Sequence, residues 1–180
     1  MHGAPWGVAV QAARYGPDGF HRRELPGDQF RTTVTASPVV ASAVRVLAER
    51  VDAALGFPNP FDVVDVGAGD GQLLQGLGSV PSHWRLTGVD LSGRVGIEIP
   101  VIQGLLVANE WPDNVPFDVL VDGQVVEVDA AGTERLGAAA DPPDLAWAAR
   151  GWPGAGRGGV GRDRDEAWSQ AVARGARGEA

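Results

Sequence analysis

The chain contains no cysteine and no lysine. Without cysteine, no disulfide can staple the fold and no thiolate can ligate a metal. The three histidines, His2, His21 and His83, are scattered along the sequence, so no imidazole cluster is suggested and no metal site is expected. Positive charge is scarce: 15 basic residues, all arginine, stand against 23 acidic ones, for a formal net charge of −8. That balance excludes the basic face needed for non-specific nucleic-acid binding, so no nucleic-acid partner is expected. The preference for arginine, in a chain rich in alanine and glycine, reads as coding bias and not as function. No apolar run is long enough to span a bilayer. The N-terminus also lacks the basic-then-apolar pattern of a signal peptide. No membrane partner is expected, and the expected compartment is the cytoplasm. What remains is 180 residues with 44% hydrophobic content, enough for one domain with a real core.

Residues 61–71, Phe-Asp-Val-Val-Asp-Val-Gly-Ala-Gly-Asp-Gly, are the most informative stretch. Val63, Val64 and Val66 read as a buried parallel strand. Gly67, Gly69 and Gly71 alternate after it, and Gln72-Leu73-Leu74-Gln75-Gly76-Leu77 opens a helix. Strand, glycine turn and helix together bring backbone amides to a nucleotide-like ligand. Glycine is required where a Cβ would block that approach or forbid the turn's dihedrals. A dinucleotide fingerprint, G-x-G-x-x-G, would put its third glycine at position 72, where Gln72 stands. Asp65, two residues before the first glycine, would repel a pyrophosphate and suits a cationic ligand. A second strand, Trp84 to Val89, ends in Asp90, whose carboxylate can accept both hydroxyls of an adenosine ribose. NAD enzymes use the same device, so Asp90 alone does not discriminate.

Around this motif the pattern is α/β. Ser37-Pro38 starts a helix, Val40, Val44, Leu47, Val51 and Leu55 recur at helical spacing, and Gly56 marks the stop. A connector, Leu91 to Gln103, has little helical pattern. Gly104 to Asn109 reads as another buried strand with Asn109-Glu110 at its carboxyl end. Residues 117–121 and 124–128 flank Asp122-Gly123, a two-residue hairpin signal. Tyr15-Gly16-Pro17-Asp18-Gly19 is a turn. Beyond residue 129 the pattern decays into Ala, Gly, Pro and Asp, apart from a candidate helix from Asp163 to Arg174 and an unstructured-looking tail. Trp84 and Trp168 read as packing residues; Trp6, Trp147 and Trp152 suggest no role.

The Asp65-x-Gly67-x-Gly69-x-Gly71 spacing resembles the first motif of class I S-adenosylmethionine methyltransferases. Further segments narrow this: Tyr15-Gly16-Pro17-Asp18-Gly19-Phe20, Gly27-Asp28-Gln29-Phe30-Arg31-Thr32-Thr33, and Asn109-Glu110-Trp111-Pro112-Asp113-Asn114-Val115-Pro116. With the glycine loop, they resemble the MidA-like methyltransferases, bacterial relatives of mitochondrial protein-arginine methyltransferases that assist complex I assembly. The match covers about residues 15–136, and the Asn-Glu segment is its most specific part. Pro112 departs from it, standing where the family usually has a bulky apolar residue. So does the short span of 18 residues between Asp90 and Asn109.

The resemblance implies a Rossmann-like class I methyltransferase sheet, incomplete in its C-terminal half because the chain ends at Ala180, with a β-hairpin insertion. It also implies a covering segment (1–35), an S-adenosylmethionine-binding core (36–136) and a Gly/Ala/Pro-rich linker with a C-terminal helix (137–180). A protein partner or second copy would cover the incomplete sheet. The implied cofactor is S-adenosylmethionine, held by Asp65, Gly67, Ala68, Gly69, Gly71, Asp90, Leu91 and Asn109, with Asp28 and Thr32 closing over it. Plain turn chemistry for Asp28 and Thr32, or for Asn109, is the alternative. The implied reaction moves a methyl group to a protein side chain, arginine by resemblance. Glu110 and Asp113 would then orient a guanidinium by charged hydrogen bonds, or else only organise the loop leading to Pro116. A non-catalytic S-adenosylmethionine-binding or scaffold remnant of the same family is the competing expectation.

Overall fold

A single strand, buried at all six positions, explains why residues 61–66 read as a continuous apolar run. The computed structural model describes residues 3–24, 33–90, 99, 101–151, 153–154 and 156–174. The chain forms two compact units, one from residues 1–22 and 113–169, the other from residues 23–112 and 170–180. In chain order the helices are α1 (Trp6–Tyr15), α2 (Phe20–Arg23), α3 (Thr33–Ala36), α4 (Val39–Ala54), α5 (Gln72–Gly76), α6 (Pro142–Gly151) and α7 (Arg162–Val172). The strands are β1 (Ala4–Pro5), β2 (Phe61–Val66), β3 (Trp84–Val89), β4 (Gly104–Val107), β5 (Asp118–Val121), β6 (Gln124–Val128), β7 (Glu134–Ala139) and β8 (Arg157–Val160).

The glycine-loop unit is built on a parallel sheet of order β3-β2-β4. Asp65 of β2 pairs with Gly88 on one side and Val107 on the other. Alternate residues of β2 serve two cores, which is why both faces are apolar. Phe61 and Val63 pack with Ala48, Leu77 and Trp84. Val64 and Val66 pack with Val89 and Ile102, joined by Leu106, Ala108 and Trp111. Helix α4 begins as its sequence suggests, with the Val39 amide donating to Ser37 Oγ at 3.2 Å. It ends in a Schellman arrangement: the Gly56 amide reaches Ala53 O at 3.1 Å and the Phe57 amide reaches Asp52 O at 2.9 Å. Gly56 takes the required positive φ of 75°. The buried stripe of α4 is Ala41, Ala48 and Asp52, flanked by Val44 and Val51, whereas Leu47 and Leu55 point outward.

The second unit is an antiparallel sheet of order β1-β6-β5-β8, with β7 on the other side of β6. The predicted hairpin forms, and Asp122 and Gly123 have φ of 48° and 80°, as a type I′ turn requires. Leu120, Ala140 and Val160 form this unit's core with Trp147, whose indole N–H donates to Asp165 at 2.7 Å. That gives Trp147 a role the sequence did not suggest. Trp84 is buried in the core of its own unit, whereas Trp168 is 40% exposed. Among the described residues no helix is long and apolar enough to cross a membrane.

Candidate cofactor and transfer site

Strand order puts a topological switch beside β2. The chain leaves β2, passes through α5 to β3 on one side, then returns to β4 on the other. In open α/β sheets, ligands bind beyond the carboxyl ends of the strands at such a point. The residues there are the glycine turn after β2, Asp90 after β3, and Asn109-Glu110-Trp111 after β4.

The turn is tightly built. Gly67, Gly69 and Gly71 all have positive φ, at 81°, 57° and 82°. The Gly67 and Ala68 amides both donate to Val89 O, at 2.8 and 3.2 Å, and the Gly71 amide donates to Ala68 O at 2.8 Å. The Gly69 amide donates to the Asp90 carboxylate at 3.1 Å. Asp90 therefore also ties the loop to the end of β3, beyond the ribose contact that sequence reasoning gave it.

Electrostatics sets Asp65 apart. Among the described residues, three acids of this unit are buried, Asp52, Asp62 and Asp65. Asp52 hydrogen-bonds with His83 Nε2 and accepts from Trp84 Nε1, both at 2.8 Å. Asp62 accepts from Arg85 at 2.6 Å and from the Gln103 amide at 2.9 Å. Asp65, only 3% exposed, accepts no hydrogen bond among the described residues. Burial, and secondarily the charge of Asp90, push its carboxyl up to about 7. The pair of acids makes the carboxyl end of β2 a place that favours a cation.

Asn109 is half-buried and lies two residues past the end of β4. Glu110 is exposed, with φ of 57°. Its carboxylate accepts the Thr33 amide at 3.0 Å and the Thr33 hydroxyl as well. Thr33, the neighbour of the predicted Thr32, is thus a site residue that the sequence quoted but did not single out. Trp111 is another: a Cβ added at Gly67 would lie 2.7 Å from Trp111 Cβ and 2.9 Å from its Cδ1. Neither had a distinguishing signal beyond its place beside a named residue.

Asp113 belongs to the antiparallel unit. Arg14 donates to its carbonyl at 3.0 Å and to Asn114 Oδ1 at 2.9 Å. Arg164 stacks over Phe117, 4.0 Å from the ring centroid, and donates to Val115 O at 3.2 Å. Burial holds the Arg164 guanidinium below its usual range, and the charge of Asp113 partly offsets this. Asp28, Thr32 and Leu91 lie outside the described residues. Among the described residues no group of three or more His, Cys, Asp and Glu side chains could hold a metal ion. A cavity of about 270 Å³ lies in the antiparallel unit, lined by Leu120, Asp122, Leu145 and Ala148 among others, and includes none of the predicted site residues.

No family model and no curated protein matches this sequence. Solved structures do match its fold. One is a crystal structure of a "COG1565 superfamily member and likely methyl transferase" from Burkholderia thailandensis bound to S-adenosyl-homocysteine. It aligns with a TM-score of 0.69 and 20% identity, over 97% of this chain and 56% of that one. Another is the native crystal structure of an uncharacterized COG1565 superfamily protein from the same organism, with a TM-score of 0.69 and 19% identity, over 97% and 55% of the two chains. The chain thus spans little more than half the length of these neighbours, and its fold is the mixed α/β fold of these methyltransferase-like structures.

Proposed function

We propose that this chain binds S-adenosylmethionine at the glycine turn and transfers its methyl group to a protein side chain, with arginine as the acceptor that the MidA-like sequence segments imply. The observation that carries the reading is Asp65, a buried carboxylate without a hydrogen-bond donor among the described residues, at the switch point of a fold shared with an S-adenosyl-homocysteine-bound protein. The ligand's ammonium group supplies the missing donor and charge. Asp90, at the carboxyl end of β3 and bonded to the Gly69 amide, is suited to the ribose hydroxyls. Methyl transfer is an in-line displacement at sulfur, so the protein's contribution is alignment and field. Glu110 is the residue proposed to orient the acceptor; Asp113 is proposed as a second catalytic carboxylate on the sequence resemblance. Leu91, Asp28 and Thr32, which lie outside the described residues, are proposed as cofactor-binding residues on the sequence resemblance, and the cytoplasm is the proposed compartment.

A second reading, a cofactor-binding remnant without turnover, is favoured by one specific arrangement. Glu110 is already occupied by Thr33, and Asp113 lies in the field of Arg14 and Arg164 of its own unit. Incubating the protein with methyl-labelled S-adenosylmethionine and a cell protein fraction, followed by acid hydrolysis, separates the two. Label recovered as methylarginine, and lost in Glu110→Gln, supports transfer. Cofactor binding without label in any amino acid supports the remnant.

A further inference from the structure

We propose that Trp111 is a specificity-determining residue of the cofactor site, its indole reading the positive charge of the ligand's sulfonium; this rests on the reading just given. The indole lies in contact with the α-carbon of Gly67, as the distances of 2.7 Å, 2.9 Å and 3.1 Å from an added Cβ to Trp111 Cβ, Cδ1 and Cγ show. It is half-buried and packs against the Val64, Val66, Val89 and Ile102 cluster. Its direction is set by its neighbours. Glu110 adopts a left-handed φ of 57° that turns the chain, Thr33 holds the Glu110 carboxylate, and Pro112 opens a short 3₁₀ turn.

A ligand seated on the glycine turn would lie beyond the carboxyl ends of the strands, beside the Gly67 that Trp111 touches. An aromatic ring attracts a sulfonium cation more strongly than a neutral thioether, which lacks the charge. Trp111 therefore separates the cofactor, which carries a sulfonium, from the demethylated product, which does not. The same preference helps product leave after transfer.

The test is calorimetric titration of the wild type, Trp111→Leu and Trp111→Phe with S-adenosylmethionine and S-adenosylhomocysteine in parallel. Trp111→Leu is expected to weaken S-adenosylmethionine binding about three- to tenfold, on the scale of a cation–π contact, and S-adenosylhomocysteine binding less than about twofold. Trp111→Phe, which keeps a ring and serves if the leucine variant does not fold, should show a smaller shift in the same ratio. Equal losses for both ligands would make Trp111 a packing residue and overturn the inference while leaving the cofactor reading intact. A folded wild type that binds neither ligand would overturn both.

Discussion

At the scale of single residues, Asp65 carries a conflict between stability and binding. Its folded carboxyl titrates at about 7 against 3.8 in the unfolded chain. Its contribution to stability is therefore full below the unfolded value and is lost as pH rises through the folded one. Asp65→Asn should melt at a higher temperature than wild type at pH 8, with the difference vanishing in acid; thermal scans across that range measure it. The same substitution should weaken S-adenosylhomocysteine binding tenfold or more. In the wild type, that binding should tighten as pH rises through about 7, because the ligand's ammonium pairs with the ionised form. A pH-independent affinity would contradict this assignment.

Two glycines separate conformational from steric constraint. Gly56 has positive φ and open space around its α-carbon, so Gly56→Ala should cost only the left-handed backbone, about 1 kcal/mol. Gly67 has the same conformational demand with Trp111 against it, so Gly67→Ala should cost at least about twice as much by urea denaturation. Combining it with Trp111→Ala should recover part of the loss. Equal costs for the two single variants would mean that the indole does not press on the loop.

At the scale of elements, a buried polar clasp joins α4 to β3. Asp52, on the buried face of α4, accepts from the Trp84 indole and hydrogen-bonds with His83. Asp52→Ala strands the indole N–H in the core and should cost about 1–3 kcal/mol, read by urea denaturation. Helix α4 itself was legible because cap, apolar spacing and terminal glycine agree. Strand β2 and the Asp-Gly hairpin were legible for similar reasons: a strong local signal coincides with the tertiary role. The elements the sequence did not reveal have weak local signals. Helix α1 buries no residue fully, β7 is exposed along most of its length, and β8 is Arg-Gly-Gly-Val, with two glycines in a four-residue strand. Their order comes from distant partners, such as the Asp118 carboxylate that receives the Gly7 amide at the start of α1.

The site was legible in proportion to how local its logic is. The glycine turn and Asp90 could be read from spacing alone. That Asp65 accepts no hydrogen bond among the described residues depends on what packs around β2. The Thr33–Glu110 contact spans 77 positions, and the Trp111–Gly67 contact also joins distant segments. Such pairings leave no trace in a single sequence.

At the scale of the whole molecule, residues 1–22 and 113–169 build the antiparallel unit, while residues 23–112 and 170–180 build the glycine-loop unit. The parallel sheet holds three strands, and the chain spans 56% of the S-adenosyl-homocysteine-bound neighbour. Cofactor binding is thus the claim on which every other assignment depends. It is tested most directly by calorimetric titration of the folded chain with S-adenosylhomocysteine, with NAD as the control. Saturable one-to-one binding, abolished by Asp90→Ala, and no response to NAD are expected. A folded chain that gives no heat with S-adenosylhomocysteine, or that binds NAD in its place, would contradict that claim.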